Sequence, residues 1–242
     1  MLPVHIKKAN IKNTPYMIKD YIQQQINIEL SDVMLAQLQT YCDFLREENE
    51  KYNLTAITEP SDIYVKHFAD SILGGVAVPQ NAALCDVGSG AGFPSLPLKI
   101  ARPDVNVTLV DSLEKRISFT KTLCGKLQIS ATFYHDRAED FAKTHSEQFD
   151  VATARAVAAL PVLLEYVAQI VKIGGTVLAY KTDESELATS GNACKTLGLE
   201  FETSYKFVLP DGSNRCLLVF RKTKQTPAKY PRGQNKPRKQ PL

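Results

Sequence analysis

Apolar and polar positions follow a helical period over the first third of the chain and a strand–helix alternation after it. Thr14-Pro15 reads as an N-cap with proline at the first helical position, predicting a helix to about Ile26. Ser31-Asp32 opens a second helix, whose Met34, Leu35, Leu38, Tyr41, Cys42 and Leu45 fall on one face. Its acidic end, Glu47-Glu48-Asn49-Glu50, leads into Asn53-Leu54-Thr55-Ala56-Ile57. A third helix is expected from about Ser61, carrying Lys66, His67 and Asp70. Residues 1–13 show no period and read as loosely structured. Residues 1–78 are therefore expected to form a helical extension packed on the α/β core.

From Ala82 short apolar runs alternate with helical patterns. The runs Ala83–Val87, Val105–Val110, Ile129–Tyr134, Phe149–Ala154 and Thr176–Lys181 predict five strands. The helices between them run to about Arg102, from a Ser112 cap through Lys126, over a short polar segment near 138, and over Leu160–Val171. A helix near 184–197 precedes two last strands, Glu200–Leu209 and Arg215–Arg221, joined by the turn signal Pro210-Asp211-Gly212-Ser213. This predicts an α/β doubly wound fold with a seven-stranded, mostly parallel sheet whose last strand is antiparallel. The core domain spans 79–221, and 222–242 is a basic tail.

Charge and composition change the picture only at that tail. The 242 residues are 44% apolar and 23% charged, an ordinary globular balance. No apolar run reaches the roughly 18–20 residues of a bilayer span, and no secretory signal is apparent, so no membrane role is expected. Five scattered cysteines lack C-x-x-C spacing, which argues against zinc or disulfides and for a cytoplasmic protein without metal. Residues 221–242 hold eight of the 29 Lys/Arg and none of the 26 Asp/Glu. Such a tail suits a polyanionic partner such as nucleic acid, or is a solubilising terminus; its four prolines argue against a regular helix and for flexibility.

Open α/β sheets bind ligands beyond the carboxyl ends of their strands, so the polar residues there are the candidates. After the first strand, Asp86-Val87-Gly88-Ser89-Gly90-Ala91-Gly92-Phe93-Pro94 is a glycine turn, either a cofactor cradle or only a tight β–α connection. Phe93 stands where the third glycine of a dinucleotide-binding G-x-G-x-x-G would be. Asp111 ends the second strand, either to accept hydrogen bonds from ribose hydroxyls or to serve the next helix as an N-terminal charge. Asp136-Arg137-Ala138-Glu139 comes after the third strand and offers a backbone N–H and a carboxylate to an adenine edge, or caps a short helix. Arg155 comes after the fourth, facing a carboxylate or phosphate, or forming a plain ion pair. Acids on both sides and no cation from Asp86 to Pro94 suit S-adenosylmethionine better than a pyrophosphate.

Asn53-Leu54-Thr55-Ala56-Ile57, Lys66-His67-x-x-Asp70-Ser71, the glycine turn, Arg137-Ala138-Glu139 and Ala154-Arg155-Ala156-Val157-Ala158 together resemble the small-subunit ribosomal RNA methyltransferase G family, also called glucose-inhibited division protein B. The resemblance runs from about residue 30 to 220. It implies a class I S-adenosylmethionine-dependent methyltransferase (Rossmann-like) fold. It also implies methyl transfer to N7 of one guanine of 16S rRNA near the decoding site, in the small ribosomal subunit or its precursor. The family's cofactor contacts fall on Gly88, Phe93, Ala138, Glu139 and Arg155; with Gly90 and Asp111 read from strand-end position, these are the candidate cofactor residues. Ser95, Lys99 and Thr182 depart from residues common in relatives, outside those contacts.

Guanine N7 carries a lone pair and no proton, so no general base or nucleophile is expected, and none is apparent. Lys66, His67, Lys115, Arg116, Lys181, Arg215 and the tail cations are the candidate RNA contacts, with Lys115 and Arg116 favoured by their nearness to Asp111. His67 reads equally as a buried, satisfied histidine. No obligate protein partner is evident. Competing readings are a methyltransferase of the same fold with another substrate, and an RNA-binding or assembly protein without activity.

Overall fold

The computed structural model describes residues 14–242, and the reading of 1–13 as loosely structured lies outside them. The first helix, α1 (Thr14–Ile26), already includes Thr14, expected as its N-cap, and α2 (Asp32–Tyr52) begins after its expected Ser31 cap. Ser31 Oγ accepts from the Met34 N–H at 3.3 Å, and Asn53 closes α2 in the left-handed region with φ 49°. The third helical stretch is irregular: α3 (Pro60–Asp62) passes into a π-helical segment, Ile63–Ala69, then α4 (Asp70–Leu73) and a 3₁₀ turn, Gly74–Ala77. An apolar period does not distinguish i→i+5 from i→i+4 bonding, which is why the sequence predicts one regular helix here.

The sheet has the strand order β3-β2-β1-β4-β5-β7-β6. Its members are β1 (Ala83–Val87), β2 (Asn106–Asp111), β3 (Thr132–His135), β4 (Phe149–Arg155), β5 (Val171–Lys181), β6 (Leu199–Val208) and β7 (Asn214–Lys222). β1 to β5 are parallel, and β7 slots antiparallel between β5 and β6. Helices α5 (Ser95–Ala101), α6 (Glu114–Leu127), α7 (Ala138–Thr144), α8 (Leu160–Ala168) and α9 (Leu187–Leu197) make the crossovers.

Alternation along the strands divides the core into two layers. Leu84, Leu109, Val151, Leu178 and Val219 face one cluster, filled by Ile18, Leu38, Leu45, Phe68 and Ile72 of the N-terminal helices together with α5 and α6. Cys85, Val110, Ala152, Val177 and Leu218 face the other, filled by α8 and α9. The N-terminal helices thus complete one face of the sheet. Among the described residues no helix is long and apolar enough to cross a membrane.

Three local expectations shift. β3 starts at Thr132 because Ile129 still belongs to the end of α6, its N–H bonding Cys124 O at 3.1 Å past a left-handed Gln128. α8 ends at Ala168, and Val171, expected as its last residue, instead opens β5 paired to Phe149. Ser112 does not cap α6: Leu113 holds the N-cap position without a side-chain bond.

The tail is the largest correction, since it lies against the core. Lys222 is fully buried and donates to Ala168 O at 2.8 Å, Thr226 Oγ1 donates to Leu197 O at 2.7 Å, and Tyr230, Pro231 and Pro237 are buried. A short helix, α10 (Lys236–Lys239), forms around Pro237, which sits in its first turn where a missing N–H is harmless.

Candidate functional site

The carboxyl ends of β1, β2 and β4 open into one cleft of about 410 Å³. Its floor is the glycine turn, fastened to the neighbouring strand by the Gly88 and Ser89 N–H groups, both donating to Val110 O at 2.8 and 3.2 Å. Gly88 has φ +74°, and a Cβ there would stand 2.7 Å from Val157 Cγ2, so any side chain would fill the floor. Gly92 serves packing instead: at φ +94° its Cβ would meet Leu96 Cδ1 at 2.6 Å and the Tyr41 hydroxyl at 2.8 Å. Beneath the turn, Asp86 is fully buried and accepts the Ser95 N–H at 3.2 Å. Burial pushes its carboxyl up to about 7, against the lowering effect of the Ser95 hydrogen bonds.

Asp111 joins the turn to the next loop. Its Oδ2 accepts from Gly90 N–H at 2.9 Å and from Arg116 at 3.3 Å, while Oδ1 accepts from Leu113 N–H at 2.9 Å. Oδ1 keeps one lone pair for a ligand, and Arg116, about a third exposed, is the displaceable partner of Oδ2. Asp111 thus lines the cleft and also serves the start of α6. Next to it, Ala138 and Glu139 form the first turn of α7, whose first intrahelical donor is the Asp140 N–H. The N–H groups of Ala138 and Glu139 have no intrahelical partner, and the Glu139 carboxylate is buried at the cleft wall.

Arg155 sits at the end of β4, but its guanidinium is already committed. Its NH1 donates to Asp70 Oδ2 at 2.8 Å and to Lys66 O at 3.3 Å, and its NH2 donates to His67 Nδ1 at 3.0 Å. Because Nδ1 accepts, the proton of neutral His67 lies on Nε2, which donates to Thr55 Oγ1 at 2.9 Å. Burial and the Arg155 charge push the His67 imidazole down to about 3. Phe93 completes this wall, stacked on His67 at 4.3 Å and on Tyr41 at 5.3 Å, with the Arg155 guanidinium 5.0 Å from its ring centre.

All seven candidate cofactor residues line this cleft. The candidate RNA contacts divide. Arg116 and His67 line the cleft, but His67 is neutral and hydrogen-bonded on both nitrogens. Lys115 donates to Tyr52 O at 3.3 Å on an exposed rim. The other three have carboxylate partners away from the cleft. Lys66 pairs with Asp62 at 3.0 Å, and Arg215 pairs with Asp70 at 3.2 Å. Lys181 pairs with Glu186 at 2.8 Å, and the same carboxylate accepts the Leu160 N–H at the start of α8. Thr55, Val157, Tyr166 and Asn235 line the cleft as well and are absent from the sequence-based candidates, while Arg238, one of the tail cations read as RNA contacts, lines it too. Thr55 and Val157 lie inside the motifs that carry the family resemblance; Asn235 comes from the tail and carries no positional signal.

A parallel sheet with an antiparallel seventh strand between β5 and β6, and a glycine turn over β1, define the class I methyltransferase fold. Solved structures agree: a methyltransferase from Pyrococcus furiosus matches with TM-score 0.54 at 15% identity, over 77% of this chain and 98% of its own. A ribosomal protein L11 methylase from Lactobacillus delbrueckii subsp. bulgaricus matches with TM-score 0.52 at 15% identity, over 66% of this chain and 79% of its own. At that identity they speak for the fold.

Similarity in sequence goes further. The family model for rRNA small subunit methyltransferase G (GidB) matches residues 34–213, and the chain belongs to that family. Proteins named ribosomal RNA small subunit methyltransferase G are similar along nearly its whole length. The one from Bacillus licheniformis is 48% identical, over 89% of this chain and 93% of its own. The one from Streptococcus gordonii is 46% identical, over 95% and 100%. The chain is accordingly a methyltransferase.

Proposed function

We propose that the cleft binds S-adenosylmethionine and that the protein methylates N7 of a guanine in 16S rRNA of the small ribosomal subunit or its precursor. The observation that carries the cofactor reading is the donor set: two buried carboxylates, Asp111 and Glu139, flank a glycine turn free of lysine and arginine. The residues fit the group. A Cβ at Gly88 would collide with Val157 and crowd the floor, Oδ1 of Asp111 has a lone pair for a ribose hydroxyl, and the first turn of α7 offers N–H donors beside the Glu139 carboxylate for an adenine edge. Phe93 and Val157 supply apolar walls. Bound there, the cofactor supplies an electrophilic methyl group.

The chain's own part is alignment and electrostatics. Guanine N7 presents a lone pair, so no side chain of the cleft has to remove a proton. The one imidazole at hand, His67, is held neutral with both nitrogens occupied, which suits a wall rather than a base. The methylated guanine is cationic, a charge that the Asp111, Asp136 and Glu139 carboxylates lining the cleft attract. RNA is met on the rim by Lys115, Arg116 and Arg137, whose side chain is 58% exposed. The N7 edge lies in the deep, narrow major groove of A-form RNA, so the target base enters unpaired or turned out.

Two measurements test this. Calorimetry with the intact protein should show S-adenosylmethionine binding, and no binding overturns the cofactor assignment. Small subunits from a strain lacking the gene, incubated with protein and cofactor, should gain one methyl group on a 16S guanine. Incorporation into another RNA or protein, with none in 16S rRNA, overturns the substrate.

A further inference from the structure

Four arginines line the cleft, and three are spoken for. Arg155 is paired with Asp70, Arg116 with Asp111, and Arg137 lies 3.8 Å from Glu139. Arg238, from the basic tail, differs. Among the described residues no carboxylate lies within ion-pair distance of it, and its one hydrogen bond goes from NH2 to the Val157 carbonyl at 2.9 Å. Val157 is the residue whose side chain closes over Gly88, so the guanidinium stands at the β4 side of the cleft, across the glycine floor from Asp111 and Glu139.

The segment carrying Arg238 is fastened from below. Glu165 of α8 is completely buried, and its carboxylate accepts three hydrogen bonds from Arg232: from the backbone N–H and Nε at 2.9 Å, and from NH2 at 2.7 Å. Arg232 NH2 also donates to Gln240 O at 2.7 Å, closing residues 232–240 into a loop. Pro237 is buried at its centre, and Asn235, itself at the cleft, accepts the Arg238 and Lys239 N–H groups at 3.2 Å. The rigid loop holds one arginine at a defined place over the site.

We infer that the tail is part of the cofactor site and that Arg238 binds the α-carboxylate of the cofactor's amino-acid moiety. The inference rests on the cofactor reading above. Asp111 and Glu139 take the nucleoside end, so the amino-acid end lies toward β4, where its carboxylate needs a cation. Arg155 already spends three guanidinium N–H donors on Asp70, Lys66 O and His67, whereas Arg238 spends one, on the Val157 carbonyl, and has no carboxylate partner among the described residues, so its other edge is free to form a charge-assisted pair. The tail cations, read from sequence as RNA contacts, are thereby divided, with Arg238 turned to the cofactor.

Calorimetry on the full-length protein tests this with two probes: S-adenosylhomocysteine, which carries the carboxylate, and 5′-methylthioadenosine, which lacks the whole amino-acid group. Arg238→Gln should weaken the first roughly ten- to a hundred-fold, the range of a lost charged hydrogen bond, and leave the second unchanged. Arg238→Lys, which keeps the charge without the fork, should fall between. Equal loss for both probes, or no loss for either, overturns the assignment. So does an Arg238→Gln protein that binds S-adenosylhomocysteine normally but binds RNA more weakly, since that returns Arg238 to the RNA. Failure of the unsubstituted protein to bind S-adenosylhomocysteine is a distinct result and overturns the cofactor reading itself.

Discussion

At the scale of single residues, two titratable groups at one cleft, buried Asp86 beneath it and half-buried His67 in its wall, are driven in opposite directions. Asp86 is raised to about 7 by burial, so the folded protein holds a proton that the unfolded chain releases above its ordinary 3.8. Its contribution to stability is complete below that value and is lost as pH rises through about 7. His67 is lowered to about 3, so the unfolded chain takes up a proton below 6.5 that the folded protein refuses. Its contribution is complete above 6.5 and is lost as pH falls toward 3. Between about 4 and 6.5 the two slopes oppose, each worth at most about 1.4 kcal/mol per pH unit. Asp86→Asn keeps an acceptor for the Ser95 N–H, and its stability relative to the parent should rise with pH across that window. His67→Gln keeps a donor for Thr55 and an acceptor for Arg155, and its relative stability should fall with pH. Urea unfolding at several pH values reads both; parallel profiles for all three proteins would show that neither group carries the shift assigned to it.

At the scale of elements, the feature that changes most between sequence and structure is the tail. Its prolines and charges carry the composition of a disordered segment, and a reading by composition makes it one. Its loop is fastened in part by a buried acceptor on a distant helix, Glu165, which no local pattern pairs with Arg232 across 67 residues. Glu165→Gln removes the charge and keeps the shape, costing the loop about 1.5–3 kcal/mol of hold. Amide exchange over residues 230–240 should then quicken about ten- to a hundred-fold while β1, β2 and β4 keep their protection. Exchange that quickens uniformly would mean that Glu165 supports α8 rather than the tail. The glycine turn stands at the other extreme. Its place between strand and helix, and the polar residues at the next three strand ends, are legible because each is a local chain signal. The partners of those residues are not: Arg155 reads as a ligand contact or a plain ion pair, and nothing local in the chain points to Asp70 and His67, more than 80 residues earlier, as its partners. The same holds for Lys181 and Arg215, which read as free cations and are ion-paired.

At the scale of the whole molecule, Asp70 ties the N-terminal helices to the sheet. It is almost fully buried and bridges Arg155 of β4 at 2.8 Å and Arg215 of β7 at 3.2 Å. The apolar layer under it is shared, since Phe68 and Ile72 pack in the same cluster as Leu178 and Val219. Nearby, the Tyr41 hydroxyl of α2 donates to Ala91 O of the glycine turn at 2.5 Å, and Tyr180 of β5 donates to Ser71 O at 2.9 Å. The helical extension and the sheet therefore have no independent cores, and they should unfold in one transition. Asp70→Ala leaves two arginines, each at most one-fifth exposed, without their anion, a loss of about 3–5 kcal/mol. It also removes the anion that anchors Arg155 at the cleft wall, so the substitution should alter the wall formed by His67 and Phe93 as well as the stability. Thermal unfolding followed separately by near-ultraviolet dichroism and by amide exchange in α2 and β4 should shift by the same amount in this variant. An exchange pattern in which α2 opens while β4 stays protected would instead make the extension a separate folding unit held to the sheet by that ion pair.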